Sequence, residues 1–81
     1  MVKMEDAERI AVDFVKKKKN PQSVNVSSVV PSVPADHWEV KGSYPVQITH
    51  GAGSEHFTIE IDKEGNVASY KFEPGFFIAV A

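Results

Sequence analysis

Phe57-Thr58-Ile59-Glu60-Ile61-Asp62-Lys63-Glu64-Gly65-Asn66-Val67 is the stretch that decides the fold. Phe57, Ile59 and Ile61 alternate with Thr58 and Glu60, the period of two expected of a strand with one buried and one wet face. Asp62 to Asn66 then gathers turn-forming residues, with Gly65 available for a positive φ. A return strand follows with Val67, Tyr70 and Phe72, and Pro74-Gly75 is expected to end it. A hairpin with one apolar face needs a cover.

The first twenty residues supply that cover. At 100° per residue, Met4, Ala7, Ile10, Ala11, Phe14 and Val15 fall within an arc of about 140°, the stripe of a helix lying on one partner surface. Glu5, Asp6 and Glu8 crowd its first turns and Lys16, Lys17, Lys18 and Lys19 its last, which complements the helix dipole. Lys18 falls inside the apolar arc, so either the helix frays there or this lysine snorkels. Asn20-Pro21 closes the element, asparagine suiting a left-handed cap and proline forbidding continuation.

Between helix and hairpin the period is again two. Val24 and Val26 begin a strand, and the adjacent pair Val29-Val30 predicts a bulge or strand end near Ser28. Pro31 to Asp36 reads as a loop, because two prolines in four residues remove ladder donors. Trp38 and Val40 share one face before Gly42. Tyr44, Val46 and Ile48 continue the alternation after a kink at Gly42 to Pro45, as one bent strand or two. His50-Gly51-Ala52-Gly53-Ser54 reads as a turn. The expectation is a single α+β domain. It has a helix over residues 4–18, strands over 23–30, 37–42, 44–49, 55–61 and 67–72, and an apolar segment over 76–81. The helix lies across the concave side of a curled antiparallel meander of three to five strands, with Trp38, Phe14, Phe57, Ile59, Ile61 and Ile10 as central core.

Composition bounds the function. The 81 residues carry 9 basic and 11 acidic side chains and no cysteine. Disulfides, thiolate metal sites and cysteine nucleophiles are therefore excluded. No apolar run approaches the roughly 20 residues that span a bilayer, and the N-terminus turns acidic where a signal peptide would be apolar. A cytoplasmic protein that does not engage a membrane is expected. A chain this short has little room for a buried substrate cavity.

The helix Ala7-x-x-Ile10-Ala11-x-x-Phe14-Val15, then Trp38-x-Val40, then Phe57-x-Ile59-x-Ile61-Asp62-x-x-Gly65-x-Val67, resembles the PepSY-like small domains over residues 4–72. Cystatin-like helix-plus-meander folds share such positions. The resemblance implies a non-catalytic module, found in some protease propeptides with a suggested inhibitory role. This chain departs from that setting in its acidic start and in the loop expected around Gly51 to Gly53, and no attached catalytic domain is expected. The family motif contains no catalytic residue to carry over.

The remaining candidates are weighed on chemistry. His50 and His56 bracket the glycine stretch, with His37 elsewhere; two imidazoles without a third ligand are read as loop histidines, not as a metal site. Gly51 and Gly53 lead into a strand instead of a helix N-terminus, which disfavours a phosphate cradle. Asp62, Glu64 and Asn66 echo a calcium loop, but the glycine falls at the fourth position. No cofactor or metal is expected, and no catalytic constellation is present. Residues 1–20 carry a net charge of +2 and residues 21–81 a net of −4. Lys16, Lys17, Lys18 and Lys19 therefore support weak phosphate contact as the alternative function, nucleic acid being the less favoured partner. Phe76, Phe77, Ile78 and Val80 lie in an apolar C-terminal run. It forms a last strand, tucks under the sheet as core, or adds to a partner's sheet edge, giving a homodimer or docking on another protein. The expected function is thus a binding module for protein or self, with His50, Gly51, Gly53 and His56 as a secondary loop contact.

Overall fold

The computed structural model describes residues 2–32, 36–48 and 51–79, with backbone alone for 48 and 76–79. Helix α1 (Met4–Lys19) is followed by strands β1 (Asn25–Ser32), β2 (His37–Ile48), β3 (Gly51–Ile61) and β4 (Val67–Ala79). The strands form one antiparallel sheet in the order β1-β2-β3-β4, and the helix packs on one face, the α+β arrangement expected.

The helix begins without a side-chain cap; the Ala7 N–H donates to the Lys3 carbonyl, and Glu5 and Asp6 occupy the first turn. It ends as expected, with Asn20 in the left-handed region (φ 50°) and its N–H donating to the Lys16 carbonyl at 3.0 Å. Ala7, Ala11 and Val15 are fully buried and lie at i, i+4 and i+8. Small side chains along that line let the helix axis approach the sheet closely. The sheet answers with Val40, Tyr44, Phe57, Ile59 and Ile61, all buried. Each large side chain removed from water contributes about 1.5–3 kcal/mol before chain entropy is charged against it.

Trp38, Phe14 and Ile10 therefore ring the core instead of forming its centre, being only partly buried. Ala7, Ala11 and Val15 take the seat on the sheet, and Phe14, Ile10 and Trp38 border it. Trp38 also has a polar edge to satisfy, and its Nε1–H donates to the Val2 carbonyl at 2.8 Å. Met4, placed in the apolar arc, is 48% exposed.

Strand boundaries differ from expectation chiefly at proline and glycine. β2 runs unbroken through Gly42 and Pro45, settling residues 37–48 as one strand. A methyl group at Gly42 would lie 2.2 Å from the Asn25 carbonyl oxygen and 2.6 Å from Phe57 Cζ, so the glycine makes room for both. Pro45 is tolerated because β1 pairs with β2 only as far as Asn25 opposite Ser43, leaving that side of β2 unpaired beyond it. The glycine stretch Gly51 to Ser54 is strand and not turn, since Ile48 pairs with Gly51 and Gly53 with Val46. Pro74-Gly75 does not end β4. Glu55 pairs with Pro74 and Gly53 with Phe77, so Gly75 and Phe76 bulge opposite Ser54 on an edge strand, where a missing N–H is cheap. Pro31 and Ser32, expected in a loop, likewise close edge strand β1, and the bulge expected near Ser28 falls between Val26 and Ser28.

The hairpin from β3 to β4 is held by Asp62. Its Oδ1 accepts from the Glu64 and Asn66 N–H groups, each at 2.9 Å, and Gly65 takes φ 91°. Sixteen helical residues span about 24 Å and eleven strand residues about 36 Å. The helix cannot cover the whole sheet, and the molecule is long, 48 by 21 by 17 Å.

Candidate docking surface

The β3–β4 register fixes which β4 side chains share the helix-covered face. Tyr70 pairs with Ile59 and Phe72 with Phe57, both of whose side chains are buried under α1. The sheet passes from the helix-covered strands out to β4, where cover fails. Tyr70 is left 51% exposed and Phe72 half-buried. Phe14, in the last apolar turn of the stripe, reaches them. Its ring lies 4.9 Å from Tyr70 and stacks on Phe72 at 6.5 Å. Tyr70 and Phe72 are 5.6 Å apart, and Phe72 meets Tyr44 edge-on at 6.2 Å. An aromatic series thus runs from the buried Phe57 through Tyr44 to the surface.

Lysines cap this series. The Lys18 Nζ stands 5.7 Å from both the Phe14 and Tyr70 ring centroids, and the Lys19 Nζ 4.8 Å from that of Phe72. Lys18 snorkels, as its place in the apolar arc allows, and the helix does not fray. Exposed pairs of this kind contribute about 0.5–1 kcal/mol each. Basic side chains are thus interleaved with aromatics at this surface. The signal was present as Phe14 and Lys18 at i, i+4 and as the alternation Tyr70-Lys71-Phe72-Glu73.

β4 is a terminal strand of the sheet, so its outer edge carries no pairing strand among the described residues. On the face away from the helix, Lys71 and Glu73 lie two residues apart with Nζ and Oε1 2.6 Å from each other. Each biases the other: the Lys71 ammonium holds the Glu73 carboxyl below the usual carboxylate range, and Glu73 raises Lys71. His56 pairs directly across from Glu73. A methyl group at Gly75 would lie 2.8 Å from His56 Cδ2, which shows that the imidazole covers the bulged glycine. His56 is therefore an exposed residue of strand β3 beside the β4 bulge, and does not lie in a loop.

Of the other sequence candidates, Gly51 and Gly53 lie within β3, and Phe76, Phe77 and Ile78 lie in β4, where Phe77 pairs with Gly53 and Ile78 with Ala52. As far as Ala79 the backbone of the C-terminal run continues β4 in the chain's own sheet. His50 and Val80 lie outside the described residues. Lys16 and Lys17 are exposed on the last helical turns.

A second concavity of about 330 Å³ opens where Lys19, Asn20 and Gln22 face the unpaired side of β2 at Tyr44 to Gln47. Its floor holds the Tyr44 phenol, whose O–H donates to Glu55 Oε1. Burial, then the bond to Glu55, then the carboxylate charge push this phenol well above its ordinary range, so at neutral pH it is a fixed donor. Among the described residues no three His, Cys, Asp or Glu side chains converge to hold a metal ion. Among the described residues no helix is long and apolar enough to cross a membrane. No family model, curated protein or solved structure matches this chain.

Proposed function

We propose that this chain is a non-catalytic protein-docking module, cytoplasmic and PepSY-like in kind, that receives an extended strand along the outer edge of β4. The observation carrying this reading is the Tyr70–Phe72–Phe14 cluster beside an unpaired strand edge. Main-chain groups supply affinity in strand addition and flanking side chains supply selectivity. Exposed aromatics beside the edge provide the apolar contact that backbone pairing alone lacks. The opposite edge is less suited, because β1 carries both a bulge and Pro31.

The aromatic–lysine contacts also favour a second reading, weak binding of single-stranded nucleic acid through Lys16 to Lys19 with bases stacked on Tyr70. In the docking reading Lys18 and Lys19 instead shield ring faces, and salt affects binding little. The test is a selection of extended peptides against the chain, followed by mapping of chemical-shift changes. A footprint on residues 69–74 that vanishes in Tyr70→Lys and tolerates salt supports docking. A footprint confined to the lysine turn, produced by oligonucleotides and erased by moderate salt, refutes it in favour of phosphate contact.

A further inference from the structure

Resting on the reading of β4 as a docking edge, we infer that the strand it receives is β4 of a second copy, paired antiparallel about a two-fold axis at Phe72. β4 skips Ala68 in its register with β3 and bulges again at Gly75 and Phe76, so residues 69–74 form its longest regular ladder, with only 77–79 pairing beyond the bulge. A two-fold axis at Phe72 uses residues 70–74 of each copy and stays within that window.

In that register Lys71 of one copy stands directly opposite Glu73 of the other, and Glu73 opposite Lys71. Both side chains are exposed, 71% and 53%, and lie on the face away from the helix. The in-strand pair opens into an alternating square of four charges, and directly opposed unlike charges stabilise a strand pair while like charges oppose it. The same two residues exclude the neighbouring registers. A shift by two in one direction sets Lys71 against Lys71, and in the other Glu73 against Glu73. A shift by one puts each helix on the opposite face and separates the aromatic clusters. Charge therefore selects a single register, the one that also joins the apolar surfaces. Phe72 meets Phe72 of the second copy, and Tyr70 meets the exposed Pro74. The product is a continuous eight-stranded sheet with both helices on one side.

Sedimentation equilibrium of the full chain tests this. Wild type is expected to dimerise, Lys71→Glu and Glu73→Lys each to weaken the dimer roughly tenfold or more, and the double swap to restore it. An equimolar mixture of the two single variants is expected to form a heterodimer tighter than either homodimer, since one copy then offers two acidic and the other two basic positions. Circular dichroism of each variant verifies the fold. A wild type that stays monomeric to near-millimolar concentration overturns the second copy as occupant; the peptide footprint on residues 69–74 then decides the docking reading separately. A dimer indifferent to all three variants overturns the inference, because its interface lies elsewhere.

Discussion

Replacing Gly42 by alanine probes the closest packing in the sheet. The added methyl would sit 2.2 Å from the Asn25 carbonyl oxygen and 2.6 and 2.9 Å from Phe57 ring carbons. The ring is 1% exposed, so it has nowhere to rotate, and the oxygen belongs to the main chain of β1. Ordinary contact would require β1 and β2 to part by roughly an ångström where they begin to pair. Overpacking of this kind costs about 1–3 kcal/mol. Against it stands about 0.4–1 kcal/mol gained by stiffening the unfolded chain. A chain of this length has about 4–12 kcal/mol of stability in total, so a net loss of about 1–2 kcal/mol lowers the melting temperature by about 4–16 °C. Urea unfolding followed by Trp38 fluorescence measures it. An unchanged or raised midpoint with the same denaturant slope refutes the packing described here.

Three further outcomes are expected. Trp38→Phe removes the donor to the Val2 carbonyl at 2.8 Å and costs about 0.5–1.5 kcal/mol, read from urea unfolding followed by circular dichroism in both proteins, since Trp38 is the sole tryptophan. In a Tyr70→Phe background Tyr44 is the sole tyrosine. Its phenol is raised by burial, so absorbance titration should show no phenolate until well above the usual range of about 10. The stability it contributes is complete below its unfolded value and lost as pH rises through the folded one. Asp62 is depressed chiefly by the Asn66 N–H, so its contribution is present above the unfolded carboxylate value and is lost as pH falls through the folded one. Asp62→Ala should therefore lower the melting temperature at neutral pH and flatten its decline in acid.

The helix was legible to within a residue because three independent signals agreed there: the apolar stripe, the charge gradient and Asn20-Pro21. The Asp62–Asn66 turn was equally plain, since Gly65 and the aspartate each have a local reason to be there. Legibility failed where a local signal met a tertiary circumstance. Gly51 and Gly53 lack strand propensity but are paired on both sides, and Pro74-Gly75 breaks a central strand but only bulges an edge one. Core centrality was misjudged by ranking side chains by size. The alanines of α1 decide how close the helix comes, and that leaves Phe14 and Trp38 at the margin. The aromatic–lysine surface was hidden for the same reason, because it is assembled from α1 and β4, which are some fifty residues apart in the chain.

Residue-resolved amide exchange, followed from low micromolar to near-millimolar protein, tests the role of the β4 edge most directly. Protection is expected to rise with concentration at residues 69–74, while β1, with its bulge and Pro31, stays unchanged. Exchange at 69–74 that is independent of concentration and of any selected peptide, or a rise confined to β1, contradicts the account.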